Sequence, residues 1–272
     1  MKKNELKRAL ACAVNAARSA GKLMRQNLGV VTKVNAATQH DVKLELDVQC
    51  QKLIEALVLK EFPHIAILGE EGICGDQSSD CRWVIDPIDG TVNYAYGIPH
   101  ACVSIALQKV NADSVATRAS GGMVVGVVYD PFQDELWTAI EGEPARLNGK
   151  KIQVSDRSGL AEAIIGSGFA KEGKNIGKNL ALFQALLPRV RKIRLTGSAA
   201  LALTYVASGR FDAYVESGLR LWDIAAGRLI LECAGGSYTD RPFGKETAYH
   251  VVACSQAVSK KIHRLALSAW GD

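Results

Sequence analysis

A chain of 272 residues, 48% of them hydrophobic, is long enough to bury a large core as one domain or two intimate halves, which excludes disorder. Its 33 basic and 28 acidic residues leave a net charge of +5 spread along the chain; that mild bias fits an anionic small substrate and argues only weakly for nucleic acid. The seven cysteines are odd in number, lie mostly in apolar runs and lack zinc-site spacing, so buried thiols in a reducing cytoplasm are expected.

In chain order, Leu6, Leu10, Val14, Ala17 and Leu23 recur at helical spacing and predict an amphipathic helix over 5–27. The apolar start is cut by Asn15 and Arg18, too short for a signal peptide, and no segment reaches the roughly 20 apolar residues of a membrane span. Residues 30–32 are a strand candidate and 35–40 a polar loop. A second helix pattern follows Asp47 and ends near Phe62-Pro63. Asp47 falls at its first turn, where capping and dipole compensation are an ordinary account of an acid.

The apolar run 65–68 reads as a strand closed by Gly69-Glu70-Glu71-Gly72. The next run, Trp83-Val84-Ile85, ends at Asp86, because the residue before Pro87 is disfavoured in the helical region. The strand is therefore expected to stop there. Pro87-Ile88-Asp89-Gly90 reads as a tight bend returning Asp89 toward Asp86, and Gly90-Thr91 offers backbone N–H groups at a possible helix start, suited to phosphate. Residues 99–108, 122–129 and 135–139 read as strands, with a long polar loop at 111–121 and a turn-rich stretch at 142–149. From about 151 strand and helix alternate: 163–166, 176–187, 192–195, 199–207, 212–216, 222–234, 250–253 and 258–267. The halves thus read as two helices on an antiparallel-leaning sheet and an α/β layer.

Asp47, Glu70, Asp86, Asp89 and Asp223 are acids at the ends of buried elements. If those ends converge, like charges about 4 Å apart repel by about 4 kcal/mol at an intermediate dielectric, so the acids either lie apart or hold divalent metal. Oxygen donors without His or Cys favour Mg²⁺ or Mn²⁺ over zinc.

Gly69-Glu70-Glu71, the run from Trp83 through Asp86-Pro87-Ile88-Asp89-Gly90-Thr91 to Asn93, and Trp222-Asp223-Ile224-Ala225-Ala226-Gly227 resemble, in order and spacing, the signatures of the inositol monophosphatase family. The resemblance runs through nearly the whole chain. It implies a single phosphatase domain over 1–272, a layered αβαβα sandwich of the inositol monophosphatase / fructose-1,6-bisphosphatase type. Its halves would be α+β to about 150 and α/β from about 151.

The family is Mg²⁺-dependent and often lithium-sensitive. The resemblance implies that Glu70, Asp86 and the Ile88 carbonyl hold one metal, that Asp86, Asp89 and Asp223 hold a second, and that a third binds weakly near Glu70. Asp47 would accept a hydrogen bond from Thr91, and Thr91 with Glu70 would orient and deprotonate the attacking water. The Gly90 and Thr91 amides, with Asp89, would hold the phosphate; Gly197, Ser198 and Ala199 would wall the substrate, and Glu216 would contact the inositol ring. Lys43 stands where the family commonly has Thr, and the loops at 33–41 and 111–121 look extended.

The implied reaction is hydrolysis of inositol monophosphate by metal-activated water, in a cytoplasmic homodimer. Sister enzymes with the same donor set take fructose-1,6-bisphosphate, 3'-phosphoadenosine 5'-phosphate or histidinol phosphate. A regulatory or RNA-associated role ranks lower. It rests on Arg189, Arg191, Lys192 and Arg194, which an aggregation-resistant edge strand also explains.

Overall fold

The computed structural model describes residues 1–29, 34–37, 42–110, 122–169, 175–243 and 248–271. The strand expected at 30–32, most of the 33–41 loop, the whole 111–121 loop and the Lys43 side chain lie outside the described residues.

Helices α1 (Lys3–Asn27) and α2 (Glu45–Glu61) follow the two predicted amphipathic patterns; between them β1 (Val34–Ala37) pairs antiparallel with β2 (Val42–Leu44). Residues 35–37, expected as loop, are therefore strand: the register shifts between Val34 and Ala36, and such an irregularity lets the pairing pass Asn35. Next come β3 (Ala66–Gly69), β4 (Gly72–Cys74), β5 (Cys81–Asp89), the single turn α3 (Thr91–Ala95), β6 (Cys102–Lys109), β7 (Met123–Asp130), β8 (Glu135–Ile140), β9 (Arg146–Leu147) and β10 (Lys150–Lys151). They build an eight-stranded sheet in the order β10-β9-β8-β7-β6-β5-β3-β4, antiparallel except where β3 runs parallel to β5. In the second half β11 (Ile164–Ser167), α4 (Asn175–Leu186), β12 (Lys192–Leu195), α5 (Ala199–Ala207), β13 (Ala213–Leu219), α6 (Leu221–Cys233), β14 (Ser237–Phe243), β15 (Ala248–Cys254) and α7 (Ser259–Trp270) complete the chain. The second sheet has the order β12-β11-β13-β15-β14.

Side-chain alternation sorts these elements into five layers. Trp83 and Ile85 of β5, with Val103, Ile105 and Leu107 of β6, face α1 and α2. Their neighbours Val84, Cys102 and Ala106 face α5 and α6, which are covered on the other side by Tyr214, Tyr249 and Val251 of the second sheet. The far side of that sheet, including Ile165, Val215 and Val252, takes Leu182 and Leu186 of α4 and Ile262, Ala266 and Trp270 of α7. The result is the expected αβαβα sandwich. The middle helices approach closely because Gly227 is bare: a Cβ there would lie 2.7 Å from Leu203 Cβ.

Candidate active site

The parallel pairing of β3 with β5 sets Gly69 opposite Ile85, and the Glu70 amide donates to the Ile85 carbonyl at 3.1 Å. Glu70, just past the end of β3, and Asp86 of β5 therefore stand side by side. The strand does not stop at Asp86, as expected from Pro87, but runs to Asp89 through a register shift against β6 between the two aspartates. Pro87 has no N–H to give the ladder, and a bulge is where a sheet tolerates that. Asp86 Oδ1 accepts the Ile88 amide at 3.1 Å inside the bulge. Gly90 then takes φ +96°, a left-handed turn suited to glycine, and caps α3.

Asp223 arrives from the middle layer. Ser104, the β6 partner of Asp86, donates its hydroxyl to the Trp222 carbonyl at 3.4 Å, bringing the first turn of α6 onto the end of β5. Asp223 Oδ2 accepts the Arg220 amide at 2.7 Å, the reciprocal arm of a helix-start acid. Asp47 does the same for α2, accepting the Leu44 amide at 2.8 Å, and is 2% exposed. The Thr91 hydroxyl, expected to donate to Asp47, donates to the Ile88 carbonyl at 2.8 Å.

Asp89 is the most engaged of the acids. Its Oδ2 accepts the Ser198 hydroxyl at 2.6 Å and the Ala200 amide at 2.7 Å, and its Oδ1 the Ala199 amide at 3.3 Å. A carboxylate of the first sheet thus compensates the positive start of α5.

The electrostatics show that these groups share one low-dielectric space. Burial, then the charges of Asp47 and Glu71, push Glu70 up to about 8, against a hydrogen bond with Asp86. Asp86 is held well above the carboxylate range by burial and then by Glu70, Asp89 and Asp223. Asp223 is raised by burial, then by Asp89, with Glu70 and Glu216 adding to it. Burial also raises Asp89, opposed by the Ser198 hydroxyl and the two α5 amides.

Among the described residues, no three Asp, Glu, His or Cys side chains already stand as ligands of one ion. The donor set nevertheless fits Mg²⁺. The ion takes oxygen ligands and binds through one or two carboxylates, completed by water and phosphate, so it needs no closed protein cage. A divalent cation would also offset the burial of these charges and the repulsion that adds to it at Glu70, Asp86 and Asp223.

A cavity of about 260 Å³ opens beside them, lined by Asp89, Asp223, Gly197, Ser198, Ala199 and Glu216 together with Phe169 and Tyr214. Burial, against a hydrogen bond from the Tyr214 hydroxyl and with the charge of Asp89 adding to it, pushes Glu216 up to about 7. Gly90 and Thr91 lie at the Asp89 turn rather than among the residues lining that cavity.

Two positioning side chains escaped the sequence reading. Gln51, one helical turn after Asp47, accepts the Glu71 amide at 2.9 Å and donates to the Gly72 carbonyl at 3.4 Å, clasping the turn that carries Glu70. Two buried polar residues four apart on an otherwise apolar helix face were the available signal. Asn93 donates to the His100 carbonyl at 2.9 Å and to the Thr196 carbonyl at 2.8 Å, joining α3 to the Gly197 segment. Nothing local announces that partner 103 residues away.

With this geometry in view, the sequence profile of the inositol monophosphatase family matches residues 5–270. The chain belongs to that family. A "Nus factor SuhB" of Pseudomonas aeruginosa is 40% identical over 236 residues, 84% of this chain and 83% of the relative. An "Inositol-1-monophosphatase" of Rhizobium meliloti is 36% identical over 259 residues, 93% of each. The solved inositol monophosphatase of Anabaena superposes with a TM-score of 0.82 at 34% identity, covering 97% of both chains. The family is phosphatase-type, and its members match this chain across both halves of the sandwich. Among the described residues no helix is long and apolar enough to cross a membrane.

Proposed function

We propose that this protein is a Mg²⁺-dependent phosphomonoesterase, one catalytic domain over its whole length, that hydrolyses inositol monophosphate to inositol and phosphate with water as the nucleophile. The observation that carries this reading is that burial first, and neighbouring acids after it, raise Glu70, Asp86 and Asp223, with Asp89 raised by burial beside them; such acids from separate elements are tolerable together once a divalent cation offsets them.

Glu70, Asp86, the Ile88 carbonyl, Asp89 and Asp223 would hold Mg²⁺, which when bound supplies the positive charge that phosphoryl transfer requires. Glu70 and Thr91 orient the water, Glu70 accepting its proton; Asp47 holds the start of α2 behind them. The Gly90 and Thr91 amides face the ester phosphate, and the polyol leaving group lies against Gly197, Ser198, Ala199 and Glu216. Lithium inhibition and a homodimeric assembly go with the family reading.

The deciding experiment is a panel of inositol 1-phosphate, fructose-1,6-bisphosphate, 3'-phosphoadenosine 5'-phosphate and histidinol phosphate, each assayed with and without Mg²⁺. The expected result is highest kcat/KM for inositol 1-phosphate, abolished by EDTA. Highest turnover of another member reassigns the substrate, and no turnover of any removes the activity.

A second reading, a regulatory role, is favoured by relatives named "Nus factor SuhB", a name that is not an enzyme's. Arg189, Arg191, Lys192 and Arg194 are all exposed, at or beside the edge strand β12. They can meet phosphates, but this role leaves the acids without a purpose. Retention of RNA on a filter at low salt would favour it; no retention disposes of its nucleic-acid form.

A further inference from the structure

Strands β11 and β13 run parallel with Gly166 opposite Tyr214. Side chains alternate along a strand, so residues 166 and 168 share the face that carries Tyr214 and Glu216. The two pairs are sterically matched. A Cβ at position 168 would lie 2.0 Å from Glu216 Oε2, and one at 166 would lie 3.2 Å from Tyr214 Cδ2. Tyr214 is 1% exposed, and its hydroxyl donates to Glu216 Oε2. The other carboxylate oxygen, Oε1, has no protein partner among the described residues, while Glu216 itself lines the cavity shared with Asp89 and Asp223.

We propose that Tyr214 is a positioning residue for substrate selection: by occupying Oε2 it fixes Glu216 with Oε1 open to hydroxyl donors, so the cavity selects polyol phosphates over esters lacking hydroxyls. This rests on the phosphomonoesterase reading and adds to it a buried latch, with a glycine pair that makes room for it. A carboxylate free to turn would divide its time between rotamers and lose part of each contact it makes. The phenol removes that freedom without entering the cavity's chemistry.

The test compares inositol 1-phosphate with p-nitrophenyl phosphate, both with Mg²⁺, in the wild type, Tyr214→Phe, Glu216→Gln and the double variant. Loss of one buried hydrogen bond predicts a roughly tenfold fall in kcat/KM for inositol 1-phosphate, mainly through KM. That fall should exceed the change on p-nitrophenyl phosphate by at least about fivefold. The double variant should be no worse than Glu216→Gln, because the two residues act through one contact. Equal losses on both esters, or additive losses in the double variant, overturn the proposal. Should Tyr214→Phe fail to fold, Gly168→Ala, whose Cβ displaces the carboxylate, must give the same selective loss, and an equal loss on both esters there overturns it. If the wild type hydrolyses neither ester, the phosphatase reading fails separately. The latch is then decided by calorimetric binding of inositol 1-phosphate: about tenfold weaker binding in Tyr214→Phe supports it, while equal binding, or none to the wild type, overturns it.

Discussion

Ser198 holds Asp89 and caps α5 with the same hydroxyl: it donates to Asp89 Oδ2 at 2.6 Å and accepts the Leu201 amide at 3.3 Å. One side chain thus satisfies a helix start and fixes a carboxylate of the opposite sheet. Ser198→Ala should lower unfolding stability by about 1–2 kcal/mol, the usual range for losing a cap with a buried partner. Mg²⁺-dependent turnover should fall with it, because Asp89 loses one of the bonds that set its orientation. A urea titration and an assay on the same preparation check both; an unshifted midpoint removes the capping role.

Asp86 is 2% exposed and raised by three neighbouring acids. Asp86→Asn keeps the shape and removes the charge. Metal-free protein should therefore melt higher than the wild type, while Mg²⁺ should no longer raise its melting temperature and hydrolysis should vanish. Thermal melts with EDTA and with Mg²⁺ separate these outcomes. Unchanged turnover would refute the assignment of Asp86.

The pH dependence has a definite sign. Glu70 and Glu216 lie near 8 and 7 in the fold against an ordinary value of 4.5, so between those limits the folded state binds more protons than the unfolded chain. Stability of the metal-free protein should be greatest at and below the ordinary value and fall as pH rises through 7 to 8. Mg²⁺ should counter the loss, because it binds the deprotonated form, and its apparent affinity should rise over the same window. Melting temperatures across that range with and without Mg²⁺ give the test; a flat metal-free profile contradicts it.

Gln51 clasps the Glu70–Glu71 turn through the Glu71 amide and the Gly72 carbonyl. Gln51→Ala should cost about 1–3 kcal/mol from the unpaired turn groups and weaken Mg²⁺ binding severalfold. Calorimetric titration of Mg²⁺ reads the second effect, which a purely structural role would not produce.

Much of this architecture was legible because the signals were local. Helix α5 spans the predicted 199–207, and α1 and α2 follow their apolar spacing. The acids stood out because Glu70 and Asp86 each follow an unbroken apolar run. Their convergence was not legible from periodicity: it depends on β3 choosing β5 in parallel and on Ser104 meeting Trp222, contacts between distant parts of the chain. Strand β14 was not among the predicted elements: Asp240, Arg241 and Pro242 break any strand pattern over 237–243. It lies at the edge of its sheet, where a proline and charges are tolerated. The stop expected at Asp86 failed for a related reason: a bulge lets a strand absorb Pro87 and continue.

The bond from Ala200 to Asp89 also sets an order of events during synthesis. The two residues are 111 positions apart, so a nascent chain displays Asp86 and Asp89 long before the amides that restrain the second of them have been made. The restraint on Asp89 can therefore form only after α5 has been made.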